Sequence, residues 1–488
     1  DLETLDPQVV VWSGDIDYVE HLFLQLTNYE QGTLEIVPEA AESWEISDDG
    51  LVYTFNLRTD IPWVHHDPET GQTVQVVDEA GEPRTVTAHD FVYGIKRACD
   101  PEIGSYFSTI VAPFIKGCEE VLYADDPENI PPELVEAIAV SAPADDTLVI
   151  ELPIPASYFL AMTPLSALAA TPQWAIEEHG ESWIEPGEIV TNGRYVLHEW
   201  QPGVRRSLWR NPLLPENLRG PGNIERVVHT VVPDNVTGYA LWLKNEVDTA
   251  FMPRGELQAH LEQFPDETDS GKGLATQWLQ FDREKPPFDD VRVRRAFGAA
   301  IDRQTLCEDV HQGQGVPMIH LAPPGVFGAP PINEVGVGFD PEYARGQLAE
   351  AGYPDCQGFP TVTLVVFTGP NQLQFAEYTQ GQWAEHLGCD LALVQIEQLP
   401  SEERWDAIEG PVETRPHLWR AGWGADYPDE NNLVGDVLWC EHGERQCTHL
   451  DDLIVEAREE PDPERRIALY RQIEEGFCGP EGEMPIDP

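Results

Sequence analysis

The chain has 488 residues, with 29 Lys+Arg against 87 Asp+Glu and a formal net charge of −58. That length exceeds what one hydrophobic core serves, so two or three domains are expected, and 41% hydrophobic residues with 14 Trp exclude global disorder. The charge excludes broad attraction to nucleic acid or anionic lipid, and no apolar run approaches the roughly 18 residues of a membrane span.

Only five lysines occur: Lys96, Lys116, Lys244, Lys272 and Lys285. The acidic excess reads first as a well-solvated surface, and second as a salty or extracellular habitat or a cationic ligand.

Mixed apolar runs at Val9–Trp12 and His21–Leu26 open the chain. Ser47-Asp-Asp-Gly50 is turn chemistry, and Leu51, Tyr53, Phe55 and Leu57 alternate after it, so a hairpin is expected. Residues 67–83 read as surface loops and short hairpins. Thr87 with Asp90 three residues later predicts a capped helix carrying Phe91, Val92 and Ile95 on one face. Tyr123–Pro132 reads as irregular, Thr147–Leu152 as a short strand, and Tyr195–Trp200 with Ser207–Arg210 as a second hairpin. Val227–Val232 is expected to be a buried strand and Asn235–Leu243 a helix, with a turn at Asn245–Asp248 leading into Thr249–Met252.

Organisation changes after about residue 275. Thr276–Phe281 reads as a strand. Asp289 and Asp290 cap a helix with Val293, Ala296, Phe297, Ala300 and Ile301 at i, i+3, i+4, i+7 and i+8. Glu342–Ala351 is a helix stopped by Gly352 and Pro354. Strand Thr361–Phe367, helix Gln372–Leu387 (Leu373, Ala376, Trp383 and Leu387 inward, Gly388 as stop) and strand Leu391–Ile396 form a βαβ unit, hence a parallel sheet.

Eight cysteines suggest disulfides and an oxidising compartment. Cys99–Cys118 and Cys440–Cys447 are the closest pairs; Cys356–Cys389 and Cys307–Cys478 follow by elimination. No P-loop, H-E-x-x-H, C-x-x-C or G-x-S-x-G motif is present. Cys440-Glu-His442 and Cys447-Thr-His449 offer a zinc-like spacing, weighed against a disulfide closing a surface loop. His65-His66-Asp67 offers a weaker one, since neighbouring histidines on a strand face opposite ways. No metal, cofactor or catalytic residue is expected.

Several segments, in order and spread over nearly the whole chain, match a known pattern. They include Pro38-Glu-Ala-Ala-Glu-Ser-Trp44, Tyr53-Thr-Phe-Asn-Leu-Arg58, Thr87-Ala-His-Asp-Phe-Val-Tyr93, Thr191-Asn-Gly-Arg-Tyr195 and Arg210-Asn-Pro212. Phe288–Ala296, Ala300-Ile-Asp-Arg303, Leu348–Tyr353 and Gly422-Trp-Gly-Ala-Asp-Tyr-Pro-Asp429 continue it. The chain resembles the family 5 extracytoplasmic solute-binding proteins of ABC importers, the oligopeptide- and dipeptide-binding group. The resemblance implies an α/β, two-lobed periplasmic-binding-protein-like fold of class II type, with hinge strands, a ligand cleft and an additional inserted domain. Carried onto this chain, lobe I is 1–45 plus 168–275, the inserted domain 46–167, lobe II 276–482 and the second hinge crossing 483–488. Family members continue back into lobe I beyond a segment like Met484-Pro-Ile486, whereas this sequence stops at Pro488.

The implied function is capture of a peptide or other small solute outside the membrane and its delivery to an ABC transporter permease. A monomer with no nucleic-acid partner is expected, periplasmic or at the cell surface, anchored by an N-terminal lipid absent from this chain. In the resemblance, Asp426 takes a peptide α-amino group, Trp423 lines a side-chain pocket and Arg420 lies near the carboxyl end. Backbone groups near Leu24–Thr27 pair with an extended ligand, and Tyr106 matches a ligand-contacting tyrosine more loosely. An oligosaccharide receptor of the same family is the first alternative, since tryptophans also stack on sugar rings. A secreted hydrolase is the alternative from another class.

Overall fold

A computed structural model describes all residues except 1, 2, 254, 270, 272, 441–444, 485 and 488. The chain divides into two compact units, Asp1–Pro233 and Asp234–Pro488. Among the described residues no helix is long and apolar enough to cross a membrane.

The first unit is built on small antiparallel sheets. The expected hairpin forms between Ala41–Ile46 and Val52–Leu57, with Ile46 opposite Tyr53, and Thr147–Glu151 and Val140–Ala144 extend it to four strands. Alternation in Val52–Leu57 buries Tyr53, Phe55 and Leu57. The helix Ala88–Ala98 starts with the capping box read from Thr87 and Asp90, and buries Phe91 and Ile95. The second hairpin, Tyr195–Gln201 with Arg205–Arg210, is joined by Arg226–Thr230. This last strand corrects the sequence reading of Val227–Val232. It is the edge of a three-stranded sheet and mostly exposed, Val228 at 60%, because an apolar run records β propensity and not which face is covered.

The second unit carries a five-stranded sheet in the order Val394–Leu399, Val362–Phe367, Leu418–Gly424, Ala275–Phe281, Ile486–Asp487. The first three strands are mutually parallel and the last two pairings antiparallel. The helix Pro370–Leu387 makes the βαβ crossover, and Gly388, in the left-handed region at φ 76°, ends it. Two details depart from the sequence reading. Phe375 and Thr379 join Ala376, Trp383 and Leu387 on the buried face while Leu373 is half-buried, and Leu391–Leu393 is a 3₁₀ turn that delays the strand to Val394. The core packs Phe288, Phe297, Phe359 and Trp383 against Val362, Leu364 and Leu418.

The arginines of the helix Val291–Ala299 have a specific task. Arg294 donates to the carbonyls of Met484 (2.8 Å) and Glu483 (2.6 Å), and Arg295 to Gly482 (2.6 Å). Arg303 pairs with buried Asp487. These groups hold Gly482–Met484 and Asp487 against the sheet, and the fit leaves no room for a side chain at Gly298. A Cβ there would lie 2.6 Å from Asp487 Oδ1 and 2.9 Å from Met484 Cε.

Three of the expected disulfides form: Cys99–Cys118, Cys356–Cys389 and Cys440–Cys447. Cys307 and Cys478 are free and buried, which corrects the pairing by elimination. Cys478 Sγ instead lies 3.7 Å from Glu474 Oε2. Thiol titration of unreduced protein in denaturant should therefore give two thiols per chain, and none would restore the fourth bridge. Gly298→Ala should lower stability by about 1–3 kcal/mol, the usual cost of overpacking a filled site, read as an earlier urea transition. An unchanged transition would mean that Met484 and Asp487 are not held tightly there.

Candidate functional site

Strand Leu418–Gly424 lies between Val362–Phe367 and Ala275–Phe281. Its residues alternate between faces, so Leu418 and Arg420 point one way and Trp419, Ala421 and Trp423 the other. Arg420 sits beside two cavities of the second unit. One, of about 260 Å³, is bounded by Trp278, Cys307, His311, Met318 and Phe375. The other, of about 300 Å³, is bounded by Gln277, Phe367, Gln372 and Trp423. The Arg420 guanidinium is nearly buried, lies 4.3 Å from the Phe375 ring centroid, and donates to Gln277 Oε1 and to Gln372 Oε1 at 3.1 Å. The two carboxamides and the ring fix its orientation.

After Gly424 the chain leaves the sheet and turns into the helical segment Asn432–Val437. Buried Asn432 sits inside this turn. Its Oδ1 accepts from the Trp423 indole N–H (3.0 Å) and from the Asp426 backbone N–H (3.0 Å), and its Nδ2 donates to Asp426 Oδ2 (2.9 Å) and Asp436 Oδ2 (3.0 Å). Tyr427 donates to Asp436 (2.7 Å) and Asn431 to the Tyr427 hydroxyl (3.0 Å). The turn is tied down through Asp429, which accepts from Tyr470 at 2.7 Å and pairs with Arg466 at 3.0 Å.

Burial raises the Asp426 carboxyl to about 6, aided by the neighbouring Asp436 charge and opposed by the bond from Asn432. Asp436 rises to about 6 as well, mainly through burial. Among the described residues no Lys or Arg is hydrogen-bonded to Asp426. The turn thus holds a desolvated carboxylate beside an indole, an arrangement that favours a cation.

Arg420, Trp423 and Asp426, singled out from the sequence, therefore share one strand and its following turn. Leu24, Thr27 and Tyr106 belong to the first unit. The Leu24 N–H donates to Asn192 Oδ1 (2.7 Å), and Gln25 N–H to Glu39 Oε2 (2.7 Å). Thr27 is buried, shares a 2.5 Å hydroxyl bond with Thr163, and pairs with Pro38 in a two-stranded sheet. Those bonds confine any ligand pairing to the remaining backbone groups. Tyr106 lies on a turn, 38% exposed, with its ring against Phe107. Sequence reading missed Asn432, Asp436, Gln277, Gln372 and Phe375. Only the chain proximity of Asn432 and Asp436 to Asp426 hinted at them.

The metal-like spacings hold different chemistry. Cys440 and Cys447 are bonded to one another, Arg445 pairs with Asp451, and His449 begins a helix; His442 lies outside the described residues. His65 bonds the Gly187 carbonyl (2.7 Å), while buried His66 bonds Thr73 (2.9 Å) and His198 (3.0 Å), with burial lowering it to about 4.

Residues 35–442 match the family model described as bacterial extracellular solute-binding proteins, family 5 Middle. The periplasmic oligopeptide-binding protein of Escherichia coli is 29% identical over 465 residues, covering 92% of this chain and 78% of that one. A probable deoxycholate-binding periplasmic protein of Escherichia coli is 28% identical, covering 96% and 83%. A crystal structure of a periplasmic oligopeptide-binding protein from Borrelia burgdorferi superposes with a TM-score of 0.78 at 26% identity, covering 99% of this chain and 90% of that one.

The raised Asp426 pKa has a consequence for the unliganded protein. An acid whose folded pKa lies above its unfolded value contributes stability below the unfolded value, near 4, and loses it as pH rises through about 6. Asp426→Asn should therefore raise the melting temperature at pH 8, by an amount worth at most about 2–3 kcal/mol. The gain should vanish toward pH 4. A loss of stability at pH 8 would show that the ionised carboxylate is held by favourable contacts.

Proposed function

Since this chain belongs to the bacterial extracellular solute-binding proteins, family 5, we propose that it captures peptides outside the cytoplasmic membrane and delivers them to the permease of an ABC importer. The observation that carries the peptide reading is Asp426: a desolvated carboxylate beside Trp423 with no hydrogen-bonded Lys or Arg among the described residues. A peptide α-ammonium supplies the missing cation through a charge-assisted bond, Trp423 offers an apolar wall to a side chain, and Arg420 meets the carboxyl end. Relatives named for oligopeptide, murein-peptide and dipeptide binding support it. Others named for deoxycholate and heme show that family membership alone leaves cargo open.

On this reading the protein is a receptor and not an enzyme. Binding stabilises whichever conformation makes the better contacts, and so shifts the population handed to the permease. No observation favours the oligosaccharide or hydrolase alternatives.

The test is thermal shift with mixed tri- to pentapeptides beside the same peptides acetylated at the α-amine. At about 100 times the dissociation constant a ligand of the folded state adds roughly 2.7 kcal/mol. Free-amine peptides should stabilise and acetylated ones should not. Affinity should fall as pH drops through about 6, where Asp426 takes a proton, and again above about 8, where the α-amine loses one. Equal stabilisation by both sets would remove Asp426 as an amine site, and no response to either would remove the peptide reading.

A further inference from the structure

Asn432 is fully buried at the centre of the turn, and its side chain is used to capacity. A carboxamide has two acceptor lone pairs on oxygen and two N–H donors. Here the oxygen receives the Trp423 indole N–H and the Asp426 backbone N–H, and the nitrogen reaches the Asp426 and Asp436 carboxylates, all at 2.9–3.0 Å. The partners also fix which way round the amide sits. Flipping it would turn its N–H groups toward two other N–H donors and its oxygen toward two carboxylates. No other side chain of this size reproduces the set: aspartate has no donors, leucine neither donors nor acceptors, and serine only one hydroxyl.

We propose that Asn432 is the positioning residue of this site, locking the Trp423 indole and the Asp426 carboxylate into one preformed arrangement that recognises an α-ammonium next to an apolar side chain. The inference rests on the peptide reading for the identity of the ligand, but the locking itself is a property of the unliganded protein. With Asp426 Oδ2 held by Asn432, an incoming cation meets the carboxylate at its other oxygen. With the indole N–H engaged, the ring cannot turn to offer that N–H to the ligand. Two residues three apart in sequence are thereby set by a third that never touches the ligand.

The charged groups around this amide come from each element packed on it. Asp426 belongs to the turn and Asp436 to the helical segment. Asp436 also feels Arg458, on the helix His449–Glu459, and Asp429. A donated hydrogen bond from a neutral amide favours the ionised form of Asp426, so removing it should move the titration of Asp426 upward.

The experiment has two arms. In the first, unliganded protein carrying ¹³C-carboxyl aspartate is titrated by NMR, with Asp426→Asn to assign the resonance. Asn432→Ser should shift the Asp426 midpoint up from about 6, and the isosteric Asn432→Asp should shift it further by adding a third carboxylate. In the second arm, triglycine and trialanine with free and acetylated amines are titrated into wild type and both variants. With the carboxylate and the indole no longer held in one arrangement, the free-amine peptides should bind roughly 10-fold more weakly, with the pH midpoint of affinity moving as in the first arm.

A purely structural role would lower the melting temperature and leave both midpoints where they were, and that result overturns the proposal. If Asn432→Ser does not fold, Asn432→Asp carries the same comparison. If wild type ignores acetylation while the variants still shift the Asp426 titration, the peptide reading fails and the positioning role stands. If the titration stays put while amine-dependent binding remains intact, the positioning role fails and the peptide reading stands.

Discussion

An ionised carboxylate taken partly out of water costs free energy unless something replaces the lost hydration. At Asp426 the replacement is partial: one amide from Asn432, the backbone of its own turn and the Trp423 indole, set against a second carboxylate nearby that makes matters worse. The surrounding structure can be understood as what is needed to hold that arrangement in place. Asp429 anchors the turn to the helix Pro463–Cys478 through Tyr470 and Arg466. The strand before the turn is registered along its whole length against Ala275–Phe281, from Leu418 opposite Phe281 to Gly424 opposite Ala275. A site that is unfavourable when empty gains more when filled, because a cationic ligand relieves a desolvation cost that the fold already carries.

The same unit solves a second problem, the attachment of Gly482–Met484 and Ile486–Asp487. These few residues contribute a short antiparallel strand beside Ala275–Phe281, too little ladder to be stable alone. The guanidinium groups of Arg294 and Arg295 make up the difference by binding successive backbone carbonyls from Gly482 to Met484, and Arg303 completes it at Asp487. Asp487 and Arg303 also border the cavity of about 260 Å³ beside Arg420. The packing that secures Gly482–Met484 and Asp487 is thus continuous with the wall of the cavity, and a change in one is felt by the other.

Much of this was readable in the residues. Capping at Thr87 and Asp290, the βαβ spacing from Val362 to Leu399 and the glycine stop at Gly388 follow from local rules, and Cys99–Cys118 and Cys440–Cys447 from closeness in sequence; Cys356–Cys389 came only by elimination, the step that also misassigned Cys307 and Cys478. The segment Arg420–Asp426 was singled out through resemblance, and the structure places its three residues on one strand and the turn after it. What escaped depends on partners distant in sequence or on which faces end up covered. The exposure of Arg226–Thr230 is decided by its place at a sheet edge. The free state of Cys307 and Cys478 is decided by tertiary position, which counting cannot supply. Gln277 and Gln372 meet Arg420 from two other elements, and no periodicity announces a glutamine as a guanidinium clamp. Asn432 escaped for a different reason: turn segments are rich in asparagine on grounds of backbone conformation alone, so a functional one looks like any other.

The spacing of the two charged residues bounds the ligand that touches both. Six chain steps separate Arg420 from Asp426, and an extended chain advances at most about 3.3–3.6 Å per residue, so the two α-carbons lie no more than about 20–22 Å apart. The turn after Gly424 shortens that further. A peptide lying extended, with its amine at Asp426 and its carboxylate at Arg420, is subject to the same limit per residue and so runs to no more than about six residues plus the reach of the two side chains. On the proposed reading, longer peptides give up one of the two charge contacts, and the partly desolvated carboxylate makes the amine end the costlier one to release. The overall charge of −58 acts in the same direction, since an acidic surface attracts the cationic end of an approaching peptide and repels the anionic one.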